Sequence, residues 1–235
     1  SKLPKKPHSI ALSFTDKLDT LVGFFGINEK PTSSKDPYAL RRLALGLVRL
    51  LIENDKEFKI KDLINYSIIL YEEQGFKFVN SSLQKELSEF LTDRFKYYMK
   101  EKKIRVDIIE SSLNLYGIDS MIKIYKKAQV LNKVISKPVG IDILSSYKRA
   151  SNILESELKN QELELSDIPD PGLFKNNYEN NLYKKINELR KYFLNVNKDE
   201  NYDLTLINLA TAKTEIFEFF DNVIVNDDDK TIKKN

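Results

Sequence analysis

Apolar side chains in this chain recur at every third and fourth position, and very little interrupts them. Only seven glycines and seven prolines occur among 235 residues, gathered at a few breaks. A repeat near 3.6 with so few breakers points to an all-α fold and leaves little room for sheet. Helices are predicted over about 13–25, 37–53, 60–73, 81–101, 105–116, 119–135, 140–159, 176–196 and 202–222. In the second of these, Leu40, Leu43, Ala44, Leu47, Val48 and Leu51 make a stripe that must face a core. Arg42 and Arg49 then share the opposite, exposed face. Arg41 sits on the flank, where a structural pairing with a carboxylate, or with Asp36 near its own helix start, is expected.

Local signals set the expected boundaries. Asp36 reads as an N-cap with Pro37 at the first helical position, Ser81 and Gln84 as a capping box, and Gly117 as a left-handed stop. The run Asp167-Ile168-Pro169-Asp170-Pro171-Gly172 is a loop, because each proline lacks a donor and restricts its predecessor. From Asn226 onward one isoleucine stands among ten residues, so the tail is expected to be mobile at its end. His8, behind Lys5-Lys6-Pro7, is expected in a flexible, solvent-exposed start. The chain opens at Ser1 without an initiator methionine and closes on Lys-Lys-Asn, so it is expected to be a piece of a longer protein, truncated at its C-terminal end.

Composition narrows the chemistry. With 41% hydrophobic and 31% charged residues the chain can bury a core. It has no cysteine, which excludes disulfides and thiolate chemistry. No apolar run approaches the roughly 20 residues needed to cross a bilayer, so no membrane partner and a cytoplasmic location are expected. No G-x-G-x-x-G, P-loop or cysteine nucleophile occurs, and no histidine lies in a predicted helix to act as a base. No catalytic residue is assigned.

The net charge is only +3, from 38 basic and 35 acidic side chains, so any nucleic-acid surface must be local. Between Met121 and Ala150 seven cations face Asp142 alone, a balance of +6, and the next twenty residues reverse to −5. In the sixth predicted helix Met121, Ile124, Ala128, Leu131 and Ile135 form the inner stripe, leaving Lys123, Lys126 and Lys133 in a row opposite. In the seventh, Ile143, Leu144, Tyr147, Ser151, Leu154 and Leu158 mark the inner side. Lys148 and Asn152 look outward, with Arg149 beside them. Lysine and arginine neutralise phosphates, while asparagine, arginine and aromatic rings read splayed bases. The candidate RNA contacts are therefore Arg42, Arg49, Lys123, Lys126, Lys133, Lys148, Arg149 and Asn152. The plainer reading of the cations is a solvated helix face, and of Asn152 a cap or a link between helices.

Four strings occur in an ordered series: Thr15 to Arg42, TDKLDTLVGFFGINEKPTSSKDPYALRR; Arg105-Val106-Asp107-Ile108-Ile109-Glu110; Lys148-Arg149-Ala150-Ser151-Asn152-Ile153-Leu154; and Phe217 to Val225, FEFFDNVIV. Together they resemble the β subunit of the bacterial two-subunit glycyl-tRNA synthetase over most of the chain. The resemblance implies two segments, 1–35 as the last helix and loop of an HD-type domain and 36–235 as a multi-helix anticodon-binding bundle like that of arginyl-tRNA synthetases. It implies glycine tRNA, the catalytic α subunit and the rest of the β chain as partners in a heterotetramer. ATP and Mg would belong to the α subunit, with no cofactor in this piece. In HD-type domains the run like Thr15-Asp16-Lys17-Leu18-Asp19 carries the final metal-ligand aspartate, which would fall on Asp16. The upstream histidines and His-Asp pair are absent and Thr15 replaces a usual alanine, so no metal site is expected. Phe217, Phe219 and Phe220 are expected in the core, Asp107 as a cap or as Arg105's partner, and Asp221 at a helix end. The favoured reading is tRNA recognition in support of ATP-dependent glycine attachment; the alternatives are a scaffold docking the α subunit and, remotely, a metal-dependent hydrolase.

Overall fold

The computed structural model describes residues 3–116, 118–159, 168–195, 202–225 and 227–235. Eleven α-helices occur among them: α1 Pro7–Gly26, α2 Leu40–Glu53, α3 Ile60–Glu73, α4 Leu83–Glu101, α5 Val106–Tyr116, α6 Met121–Val134, α7 Pro138–Lys159, α8 Asn177–Asn195, α9 Tyr202–Ala210, α10 Lys213–Asn222 and α11 Lys230–Lys234. There is no strand among the described residues, and no described helix is long and apolar enough to cross a membrane. The all-α reading holds. Two compact units are present, Ser1–Asn132 and Lys133–Asn235. The expected division at 35/36 does not coincide with a break between units, because α1 and α2 pack together within the first of them.

In the first unit α1, α2 and α4 form the core. Leu21, Val22 and Phe25 of α1 meet Leu47, Val48, Leu50 and Leu51 of α2 and Leu87, Leu91, Phe95 and Met99 of α4, all essentially without solvent contact. The predicted α2 stripe is buried apart from Leu43, which is half-buried. Tyr98 of α4 lies against Tyr125 of α6 with ring centroids 5.5 Å apart, and burial raises the pKa of both phenols. A helix ends with carbonyls that have no partner inside it. For α1 the segment after α3 supplies donors: the amides of Val79 and Asn80 donate to the Gly26 carbonyl at 3.1 and 3.2 Å, and the Asn80 side-chain amide donates to the Phe25 carbonyl at 3.0 Å. Gly26 is required here, since a Cβ would stand 2.0 Å from the Phe78 ring.

Two helix starts differ from their expected form. Pro37 precedes α2 rather than opening it. Ala39 stands in the left-handed region at φ 54° before the first helical residue, and Asp36 reaches forward with Oδ1 accepting from Leu40 (2.8 Å) and Oδ2 from Arg41 (3.1 Å). A cap of this kind bridges a turn instead of adjoining the first residue. At α4, Ser82 is the N-cap and makes no side-chain cap bond; Asn80 Oδ1 accepts from the Ser82 amide instead (2.9 Å), and Asn80 Nδ2 donates to Glu86 at 2.6 Å. Gly117 and Asp167 lie outside the described residues.

His8, expected in a flexible start, is exposed in the first turn of α1. The predicted 202–222 helix is two helices separated by a turn at Thr211 and Ala212. The 168–172 loop closes in a 3-10 turn over Pro171–Leu173, with Asp170 accepting from the Gly172 amide at 2.8 Å. The tail, expected to be mobile at its end, forms α11, whose start is capped by Asp229 through the Thr231 amide at 2.8 Å. Asn235 Nδ2 then donates to the Asp170 carbonyl at 3.2 Å.

Gly26→Ala displaces the Phe78 ring and with it the donors that finish α1. The expected loss is about 1–3 kcal/mol in chemical denaturation, with an unchanged helical circular dichroism spectrum before the transition.

Candidate nucleic-acid interface

The eight candidate residues divide between the two units, and the structure uses half of them internally. Arg42 and Arg49 share a face of α2 as predicted. Arg42 is exposed, but Arg49 is half-buried, with its Nε 2.9 Å from Glu53 Oε1, a contact that raises the arginine pKa. Arg41 donates through Nη2 to the Thr32 carbonyl, which ties the loop before α2 to the helix. That loop is further held by Thr32 and Lys35, whose amides bond within it, and by the stacking of Tyr38 on Phe24 at 4.3 Å.

Two lysines of the α6 row are engaged in ion pairs. Lys123 Nζ lies 3.1 Å from Glu57, and Lys126 Nζ 2.6 Å from Asp55, both carboxylates in the turn between α2 and α3. The Ser120 hydroxyl donates to Glu57 at 2.9 Å, and the Lys61 amide donates to Asp119 at 3.2 Å. These contacts fasten the start of α6 to the 55–61 segment. Hydrogen bonds from Ser120 and Lys123 hold the Glu57 carboxyl below its usual range. Lys133 is exposed near the end of α6.

On α7 the three clustered candidates separate. Arg149 Nη1 lies 2.8 Å from Asp221, its Nη2 donates to the Phe220 carbonyl at 3.0 Å, and its guanidinium covers the Phe220 ring at 5.2 Å. Arg149 therefore joins α7 to the end of α10, and Asp221 is its partner rather than a helix stop. Lys148 and Asn152 are exposed one turn apart. The side chains of Arg42, Lys133, Lys148 and Asn152 make no hydrogen bond or ion pair with a described residue. Tyr147, expected on the inner side, is 67% exposed and Leu154 45%, whereas Ser146 is buried. The inward line is rotated by about one residue to Val139, Ile143, Ser146 and Ala150, since Arg149 must reach α10. The exposed face thus combines an aromatic ring, a cation and an amide.

Phe217, Phe219 and Phe220 are half-buried rather than core residues. Asp107 does pair with Arg105, at 2.6 and 3.1 Å, and accepts from the Ile108 amide. Among the described residues no group of histidine, aspartate and glutamate side chains is arranged to hold a metal, and Asp16 is exposed.

The second unit also contains a hollow that sequence reasoning did not single out. It measures about 370 Å³ and lies between α8 and the α10–α11 segment, with Phe174, Tyr183, Asn187, Arg190, Phe219 and Val223 among its lining. A smaller hollow of about 280 Å³ between α7, α9 and α10 is almost wholly apolar. The polar residues within the α8 stripe are the signal that could have marked the larger one.

Two expectations follow. Arg149→Ala should lower the stability of the second unit by about 1 kcal/mol, a value reduced by the exposure of the ion pair, while Lys148→Ala stays within about 0.5 kcal/mol of the parent. Glu57→Gln should destabilise the chain near neutral pH. The Glu57 pKa is depressed in the folded state, so its contribution is present above the unfolded value and fades as pH falls through the folded one. Parent and variant melting temperatures should therefore converge as the solution is made acidic.

Comparison with known proteins places both halves. A family model described as glycyl-tRNA synthetase beta subunit matches residues 1–114, and one described as DALR anticodon binding domain matches 143–235. The glycine–tRNA ligase beta subunit of Rickettsia canadensis is 35% identical over 224 residues, 95% of this chain and 32% of that protein. That of Rickettsia prowazekii is 34% identical over 224 residues, covering 95% of the chain and 31% of its own length. The Cereibacter sphaeroides protein is 31% identical over 237 residues, 99% of the chain and 33% of its length. The chain spans about a third of the length of these curated relatives.

Proposed function

The chain belongs to the glycyl-tRNA synthetase β-subunit family, and from that we propose that it is the tRNA-recognising part of a glycine–tRNA ligase β subunit, engaging the anticodon through its second unit. The observation that carries this reading is the overlap of the anticodon-binding match at 143–235 with an exposed α7 face bearing Tyr147, Lys148 and Asn152. An anticodon loop presents unstacked bases between phosphates. An aromatic ring can stack on a base, an ammonium neutralises the neighbouring phosphate, and an amide can both donate to and accept from a base edge.

In this reading the ligase activity itself, with its ATP, Mg and glycine, belongs to the α subunit in the cytoplasm. This length of β contributes recognition of glycine tRNA. Lys148 and Asn152 are its first candidates, with Arg42 and Lys133 as further phosphate contacts. Arg49, Lys123, Lys126 and Arg149 act through the fold, because each already has a carboxylate partner. A second reading, docking of the α subunit, is favoured by a different surface: Tyr66, Ile69 and Phe76 in and after α3 are 60%, 48% and 56% exposed.

Binding of the chain to glycine tRNA, to an anticodon-substituted form and to an unrelated tRNA, each across a salt series, tests the proposal. Preference for the native anticodon that survives rising salt is expected. Equal affinity for all three with a steep salt dependence would reduce the interaction to phosphate attraction, and no binding at low salt would favour the docking reading.

A further inference from the structure

We propose that the hollow between α8 and the α10–α11 segment receives one unstacked base of a single-stranded RNA loop, with Asn187 and Arg190 meeting the base's hydrogen-bonding edge. The inference rests on the anticodon reading above and assigns it a site that lies apart from the α7 face.

Spacing provides the first argument. Tyr183, Ile186, Asn187 and Arg190 stand at i, i+3, i+4 and i+7 on α8, and all four line the hollow. A helix stripe turned to an interior is ordinarily apolar throughout. On α8, which has no buried residue, the stripe changes to a half-buried amide at 187 and an exposed guanidinium at 190. Asn187 is half-buried, and its side chain makes no hydrogen bond with a described residue. The amide is thus open to solvent and to a ligand, and a base edge could take both its donor and its acceptor.

The walls suit a flat aromatic guest. Phe174 and Tyr183 meet edge to face at 5.5 Å, and Phe219 lines the hollow from α10. Ile186 is 49% exposed and Ile224 78%, so the lining keeps apolar area in contact with solvent. Stacking of a base on aromatic side chains tolerates any sequence, while hydrogen bonds to its edge select one.

Charge favours a nucleotide over an apolar peptide. Arg190 and Lys234 lie on the lining, and its one acidic side chain, Glu179, is turned to other work: Oε2 accepts from the Lys175 and Asn176 amides at 2.6 and 2.9 Å. The rim is therefore cationic where the phosphates flanking an inserted base would pass. An apolar segment would leave Asn187 and Arg190 without partners. The smaller α7–α9–α10 hollow offers the Ser146 hydroxyl and Lys213 but no side-chain amide or guanidinium.

Two variants of the full chain test this. Asn187→Leu completes the apolar stripe, so its melting temperature should equal or exceed the parent's. Its preference for native over anticodon-substituted glycine tRNA should fall about tenfold or more. Arg190→Lys keeps the charge and removes the planar fork, so it should lose discrimination while retaining the parent's salt dependence. If the parent itself binds both tRNAs equally, the anticodon reading fails and the base site falls with it. If the parent discriminates and both variants discriminate as well as it does, the base site alone is overturned. Intact discrimination together with a weakened hold on the α subunit would assign the hollow to a protein segment and likewise overturn the inference.

Discussion

The carbonyls at the end of α1 organise the first unit. They emerge beside a glycine whose missing side chain lets the Phe78 ring lie against the backbone, and this close approach delivers the amides of Val79 and Asn80 to the Gly26 carbonyl. Asn80 does more than complete α1. Its side chain also receives the Ser82 amide at the start of α4 and donates to Glu86, which in turn holds Lys30 from the following loop at 2.7 Å. Three separate stretches of backbone thus meet at one largely buried amide. From that node the 27–39 loop runs to Asp36, whose carboxylate starts α2 and so fixes the side of the helix that carries Arg42. The order in the loop is a consequence of satisfying helix ends, since buried backbone groups must find partners.

Long periodic stretches were legible in the sequence, and contacts across sequence were not. The α3 bounds of 60 and 73 agree with expectation. The α2 stripe likewise predicts which residues are buried. Asp36 is the cap expected of it but acts across a turn, whereas at α4 Asn80 takes the place of the Ser81 and Gln84 box. The rotation of α7 also escaped prediction. Tyr147 and Ser146 differ by one position, and what decides between them is Arg149 reaching Asp221, 72 residues away.

The same limitation explains the basic residues. A run of lysines marks a region of positive charge, yet Lys123 and Lys126 meet carboxylates from the turn after α2. Periodicity can show that a side chain leaves the core, but it does not reveal which neighbouring element comes to meet it. The cations that remain open are fewer than composition suggests, and on α7 they stand beside an exposed tyrosine that periodicity alone places inside. Recognition chemistry in the candidate site depends on this mixture more than on total charge.

The second unit buries little. Among its described residues Val134, Ile135 and Ala212 are the buried apolar ones, and α8 and α10 contain no buried residue at all, whereas the first unit encloses whole rows of leucine and phenylalanine. Exposure of apolar surface sets the heat-capacity increment of unfolding, so the second unit should open with the smaller increment and the shallower temperature dependence. A molecule held only by the folded second unit raises that transition by mass action. Calorimetry would then register occupancy as a displaced low-temperature endotherm while the first unit's endotherm stays in place.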